Sequence, residues 1–211
     1  MHYFFIFWIG WLVSFLGQLP LGTMSITSTQ IAVQENFNNA WRYAIGVAIV
    51  EIIYLRVTLF GVSWIMAHRL LFLVLGWLTV AVFLILGIVS LITARRQHAE
   101  KKPLLLSNNL NRFFLGLSMS ALNPAQVPFW LIWCSTLLNN KWLVPGFTEF
   151  NVFTVGCGFG TISGLALYMY GGNWLITKMN TSNKTLNTVM GGIFIFAALF
   201  QLYRMVWGDF V

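Results

Sequence analysis

Two proline interruptions lie inside apolar runs too long for a soluble core: Gln18-Leu19-Pro20-Leu21-Gly22-Thr23 and Asn123-Pro124-Ala125-Gln126-Val127-Pro128. Proline in a helix interior removes one hydrogen bond and clashes with the preceding turn. At bilayer depth no bulk water covers the freed groups, so such a break persists only where protein or a wet cavity satisfies them. Both breaks carry amide and hydroxyl side chains suited to that task. Two of them, roughly half a chain apart, point to a duplicated transport unit with a site near the bilayer midplane.

Composition supports a membrane setting. The chain is 58% hydrophobic and 8% charged, against about a quarter charged in an ordinary soluble domain. Apolar runs of about 20 residues, each enough for a ~30 Å hydrocarbon core, recur along it. A formal net charge of +7 raises nucleic acid as a partner, but the basic residues are scattered between apolar spans. They are better placed to hold loops on the cytoplasmic side. The N-terminal run lacks a basic leader and outlasts a signal-peptide core, so it is expected to remain as the first span. Cys134 and Cys157 sit singly in apolar runs as packing residues. His2, His68 and His98 are too dispersed for a metal pattern.

Six spans are expected, at about 3–33, 41–66, 70–93, 112–138, 150–177 and 186–207. The fold class is therefore an all-α integral membrane protein. Its organisation is read as a three-helix repeat over 1–93, a basic loop over 94–111 and a second three-helix repeat over 112–211. Each repeat opens with a proline-broken helix, with Pro20 and Pro124 in matching positions. An odd number of spans per repeat makes the two insert in opposite orientations, as in many secondary transporters. Arg42, Arg95, Arg96, Lys101, Lys102, Arg112, Lys178 and Lys184 fall on one side of this layout. The positive-inside rule places that side in the cytoplasm and both termini outside.

These motifs resemble the lysine exporter (LysE/RhtB) superfamily of small bacterial export proteins. Leu19-Pro20-Leu21-Gly22 stands where that family carries Pro-Gly-Pro, and the second proline is lost. Leu122-Asn123-Pro124 through Phe129-Trp130 keeps the fourth-helix Asn-Pro and Phe-Trp pattern. Gly46 through Glu51 stands for its glycines followed by an aspartate. The resemblance covers essentially the whole chain. It implies export of amino acids or similar metabolites across the bacterial inner membrane, driven by the proton motive force.

Glu51 is the acid that stands out, about ten residues into the second span. An ionisable group at that depth usually faces a cavity or a partner. It suits proton coupling, or a grip on an ammonium group. Arg56 lies five residues on, about 140° around the helix. A direct pair with Glu51 is therefore not expected; its fork suits a substrate carboxylate, or a neighbouring helix. The first break offers Gln18, Pro20, Gly22 and Thr23, and the second Asn123, Pro124 and Gln126. Broken helices expose carbonyls and positive helix ends that together suit a zwitterion; the plainer role of these groups is repair of the break. Gly156, Gly160 and Gly164 recur every four residues, a packing stripe that also leaves a homo-oligomer open.

The leading expectation is a transporter of a small solute within a lipid bilayer, with no cofactor, no metal and no nucleic acid partner. An enzyme is not expected, since no catalytic grouping emerges. Two alternatives remain: a transporter of a cation or other solute, and a membrane assembly subunit that only packs.

Overall fold

The structure is a computed structural model describing residues 1–19, 22–95, 110–179 and 183–207. Among these residues the regular structure is eight α-helices: α1 His2–Gln18, α2 Thr23–Gln34, α3 Phe37–Ala67, α4 Arg69–Arg95, α5 Arg112–Ala121, α6 Gln126–Asn139, α7 Phe147–Met179 and α8 Asn183–Trp207. Pro20, and most of the basic loop expected over 94–111, lie outside the described residues. The expected first and fourth spans each divide in two at their proline motif, giving α1–α2 and α5–α6.

Segments Phe37–Val62 of α3, Leu73–Arg95 of α4 and Phe147–Gly171 of α7 are each long and apolar enough to cross a membrane. The α1–α2 pair also qualifies when taken as one bent span, its two axes differing by 82°. Helices α5 and α6 have 10 and 14 residues, each short of the ~20 a crossing requires. Placed end to end they would reach about 36 Å at 1.5 Å per residue. α8 holds a shorter apolar stretch, Gly191–Tyr203.

An apolar core is present, but polar side chains are buried beside it and large apolar ones face outward. Ser14, Ser120 and Thr161 are 0% exposed, while Val57 and Phe60 on α3 are 66% and 69% exposed. Lipid tolerates the exposed apolar surface, and buried polar groups must then satisfy one another. Local signals set the helix ends. Asn111 caps α5 by accepting from the Phe113 N–H at 3.0 Å, and Asn36 accepts from the Asn39 N–H at 2.8 Å where α3 begins.

The packing is reciprocal. α1 lies along α7, α5 along α3, and α4 along α8, with α3 and α7 also in contact. Glycine lets the first two pairs approach backbone to backbone. A Cβ on Gly46 would come within 3.0 Å of the Phe113 carbonyl, and one on Gly156 within 3.0 Å of the Phe7 carbonyl. In the reverse direction, Gly116 meets the Tyr43 carbonyl and Gly10 meets the Phe153 carbonyl. Phe7 and Gly10 on α1 thus occupy the places of Phe113 and Gly116 on α5. Tyr43 and Gly46 on α3 occupy those of Phe153 and Gly156 on α7. On α4 and α8, Gly87 and Gly191 face each other's carbonyls. The α7 glycine stripe is covered by α1 of the same chain, so it is not a free face for self-association.

An ion pair and a histidine–carboxylate contact join helix ends. Arg112, the first residue of α5, meets Glu35 after α2 at 2.5 Å. His2, the first residue of α1, meets Glu149 in the first turn of α7 at 3.1 Å. The Arg112 hydrogen bond holds the Glu35 carboxyl below its ordinary pKa, despite partial burial. A carboxyl depressed by folding adds stability above its unfolded pKa, and that stability is lost as pH falls through the folded value. Glu35→Gln is expected to cost about 1 kcal/mol at neutral pH, since the pair is only partly buried. The gap from wild type should close on acidification, as read by thermal unfolding in detergent across a pH series.

Candidate functional site

Three helices bring their polar residues to one point. Ser14 and Gln18 are four residues apart on α1, hence on one face, just before the first break. Thr161 lies on α7, against which α1 packs through Gly156 and Gly160. Glu51 reaches in from α3 and is 3% exposed. It is the only buried acid among the described residues.

The contacts to Glu51 are uneven. Its Oε2 accepts from Gln18 Nε2 at 3.0 Å and from the Thr161 hydroxyl at 2.6 Å. Its Oε1 has only the Ser14 hydroxyl, at 3.5 Å. Ser14 Oγ and Thr161 Oγ1 are 2.7 Å apart, and Thr161 Oγ1 is also 3.1 Å from the Cys157 carbonyl. Each hydroxyl has one hydrogen to give. With Glu51 ionised, Ser14 donates to Thr161, which donates to the carboxylate beside the Gln18 amide. With Glu51 protonated at Oε2, it donates to Thr161, whose hydrogen turns to the Cys157 carbonyl. The same four side chains therefore accommodate either charge state without moving a heavy atom.

The breaks are repaired from neighbouring helices. Ser25 on α2 donates to the Gln18 carbonyl at 3.3 Å, and the Tyr168 hydroxyl of α7 donates to the Leu19 carbonyl. At the second break the Tyr54 hydroxyl of α3 donates to the Ala121 carbonyl at 2.9 Å. Asn123 Oδ1 accepts from the Ala125 N–H at 3.1 Å. Gln126 Nε2 donates to Ser120 Oγ at 3.3 Å, and that hydroxyl donates to the Val47 carbonyl at 3.3 Å. A tyrosine from the facing long helix thus ends each short first helix.

A family model matches residues 15–205, under the description LysE type translocator. This chain belongs to the LysE type translocator family. No curated protein and no solved structure matches it. The family and the apolar helices make the translocator a multi-pass membrane protein that moves small solutes.

Of the residues expected at its site, Glu51 and Gln18 are in direct contact, and Gln126 is buried beside Ser120. Asn123 serves the turn between α5 and α6, and Pro124 is exposed there. Gly22 caps α2 in extended conformation and Thr23 is exposed at its start. Arg56 bonds to Asn151 Oδ1 on α7 and lies 5.9 Å from the centre of the Phe60 ring, so it is engaged away from Glu51. Cys134 and Cys157 are buried and unpaired, as expected of packing residues.

Sequence reasoning missed Ser14 and Thr161, which look like ordinary small polar residues in apolar helices. A usable signal existed: Ser14 and Gln18 share a helix face immediately before a break. Trp130, from the Phe-Trp motif, adds a further polar group. It is 0% exposed, and its indole N–H has no hydrogen-bond partner. A buried donor left this way costs about 1–3 kcal/mol.

Proposed function

We propose that this translocator exports amino acids or similar small metabolites across the bacterial cytoplasmic membrane in exchange for protons, with Glu51 as the proton carrier. The observation that carries this reading is the Glu51 network, which accepts both protonation states within one set of heavy-atom positions. A lone carboxylate at depth has no cationic partner to lock it ionised, and Arg56 is occupied elsewhere. The unpaired Trp130 N–H, and the helix ends created by the two breaks, are donors suited to a cargo carboxylate.

The same reading takes the chain as two inverted three-helix repeats, 1–93 and 112–211. Its support is the reciprocal packing: α1 on α7 repeats as α5 on α3, residue for residue at the glycine contacts. The contacts between helix ends agree. Glu35 with Arg112 sets the end of α2 beside the start of α5, and His2 with Glu149 sets the start of α1 beside the start of α7. Both fit six crossings in which α1–α2 and α5–α6 each count once. The positive-inside rule then puts both termini outside.

The test is transport in everted membrane vesicles with an imposed pH gradient and a panel of labelled amino acids. At least one should accumulate in a gradient-dependent, uncoupler-sensitive way that vesicles lacking the protein do not reproduce. Equal uptake with and without the protein across the panel would turn attention to a cation or another solute.

A further inference from the structure

The glycine contacts fix which residues of the two halves correspond, and on α1 and α5 the same register reaches as far as Ser14 and Ser120; Gln18 and Gln126 lie beyond it. Ser14 on α1 then corresponds to Ser120 on α5. Val47 on α3 corresponds to Cys157 on α7, and Glu51 to Thr161. The two sides are nevertheless wired differently. On one side, Ser14 bonds Thr161, and Gln18 and Thr161 hold the Glu51 carboxylate. On the other, Ser120 and Gln126 hold only each other and the Val47 carbonyl.

We propose that Ser120 and Gln126 form a second station for the Glu51 carboxylate, which alternates between this station and the one formed by Ser14, Gln18 and Thr161. The inference rests on the proton-carrier reading above.

Geometry supports the second station in three ways. First, Ser120 Oγ sits 3.3 Å from the Val47 carbonyl. Val47 is one helical turn before Glu51, and helix carbonyls point along the chain toward the following turn. Ser120 is thus beside the turn that carries Glu51. Second, Ser120 and Gln126 are 0% and 5% exposed, so neither can turn to water. Third, their present bonds, one from a hydroxyl and one from an amide, are both 3.3 Å, long for either donor, and the Val47 carbonyl already serves the helix. These donors are weakly engaged.

The donor sets match in chemistry. One station offers a carboxylate the hydroxyl of Thr161 and the amide of Gln18; the other offers the hydroxyl of Ser120 and the amide of Gln126. Moving between them requires rotation of the Glu51 side chain on a fixed α3. It also carries the carboxylate from the end of α1 to the end of α5. In an inverted repeat those half-helices enter from opposite faces of the membrane, so the move hands the proton site from one half to the other.

The experiment combines infrared difference spectroscopy with transport. Glu51 is the buried acid, so its protonated carboxyl band is identified as the one lost in Glu51→Gln. Two such bands are expected, one per station. Ser14→Ala should move the first band only, and Ser120→Ala or Gln126→Met the second only. Each of these variants should lower gradient-driven transport by about tenfold, the scale of one lost hydrogen bond to a charged group. Should Ser120→Ala fail to fold, Gln126→Met gives the same reading. A single band untouched by Ser120→Ala and Gln126→Met, with wild-type transport in both, overturns the second station while leaving Glu51 as carrier. Wild-type coupled transport by Glu51→Gln would instead overturn the carrier reading itself.

Discussion

Glu51→Gln is expected to leave a folded translocator that no longer concentrates its cargo. The amide is nearly isosteric with the carboxyl. Its oxygen, in the place of Oε2, can accept from Gln18 Nε2 and from the Thr161 hydroxyl, and its nitrogen, in the place of Oε1, faces the Ser14 hydroxyl. What it cannot do is bind and release a proton. One coupled charge moved through 100 mV is worth about 2.3 kcal/mol, or roughly a 50-fold concentration ratio. Loss of that ratio, with downhill flux retained, is the expected signature in vesicles. Glu51→Ala separates the structural role from the chemical one. It removes the acceptor of the buried Gln18 amide, which costs about 1–3 kcal/mol when orphaned, while Thr161 still has the Cys157 carbonyl; its unfolding midpoint should therefore fall where that of Glu51→Gln does not. Full gradient-driven accumulation by Glu51→Gln would remove Glu51 from the coupling step.

How much of this site was legible in the sequence depended on how local each signal was. Glu51 announced itself because a carboxylate inside an apolar span is costly wherever it points. The breaks were visible because proline and glycine act on their own backbone. Gln18 was found through its neighbourhood to Pro20, and it is the break residue in contact with Glu51. Ser14 and Thr161 were not found, because a hydroxyl in an apolar helix can return its hydrogen to a carbonyl one turn back. Thr161 does just that with Cys157 while also meeting Glu51. Only packing of α1 and α3 on α7 distinguishes the two situations. Arg56 and Asn123 show the converse. Both residue types suit a carboxylate or zwitterion, yet Arg56 is held by Asn151 and Asn123 by its own turn. The fold was legible in its helices and in their two interruptions. Which helix covers which was not, except where glycines at four-residue spacing on α7 marked a close neighbour.

That close neighbour makes Gly160→Ala the second large effect. A methyl group at Gly160 would enter within 3.0 Å of the Trp11 carbonyl and come 2.9 Å from the Ser14 Cβ. Backbone cannot yield as a flexible side-chain tip can, so α1 and α7 must part. Overpacking of this kind costs about 1–3 kcal/mol. Gly192→Ala on α8 is the control, because a Cβ there meets nothing within 4 Å. On intrinsic helix preference it should be neutral or gain up to about 1 kcal/mol. The two substitutions are chemically identical and should shift the thermal midpoint in opposite directions, or one downward and the other not at all. The function readout goes further. Ser14 is the residue pushed, and its hydroxyl now lies 2.7 Å from Thr161 Oγ1. A shift of a few tenths of an ångström in α1 lengthens that bond and moves Gln18, one turn on, relative to Glu51. Gly160→Ala is therefore expected to lose coupled transport by more than its stability loss accounts for, even assayed well below its melting point. Wild-type accumulation in a destabilised Gly160→Ala protein would mean that the α1–α7 contact holds the fold without setting the Glu51 network.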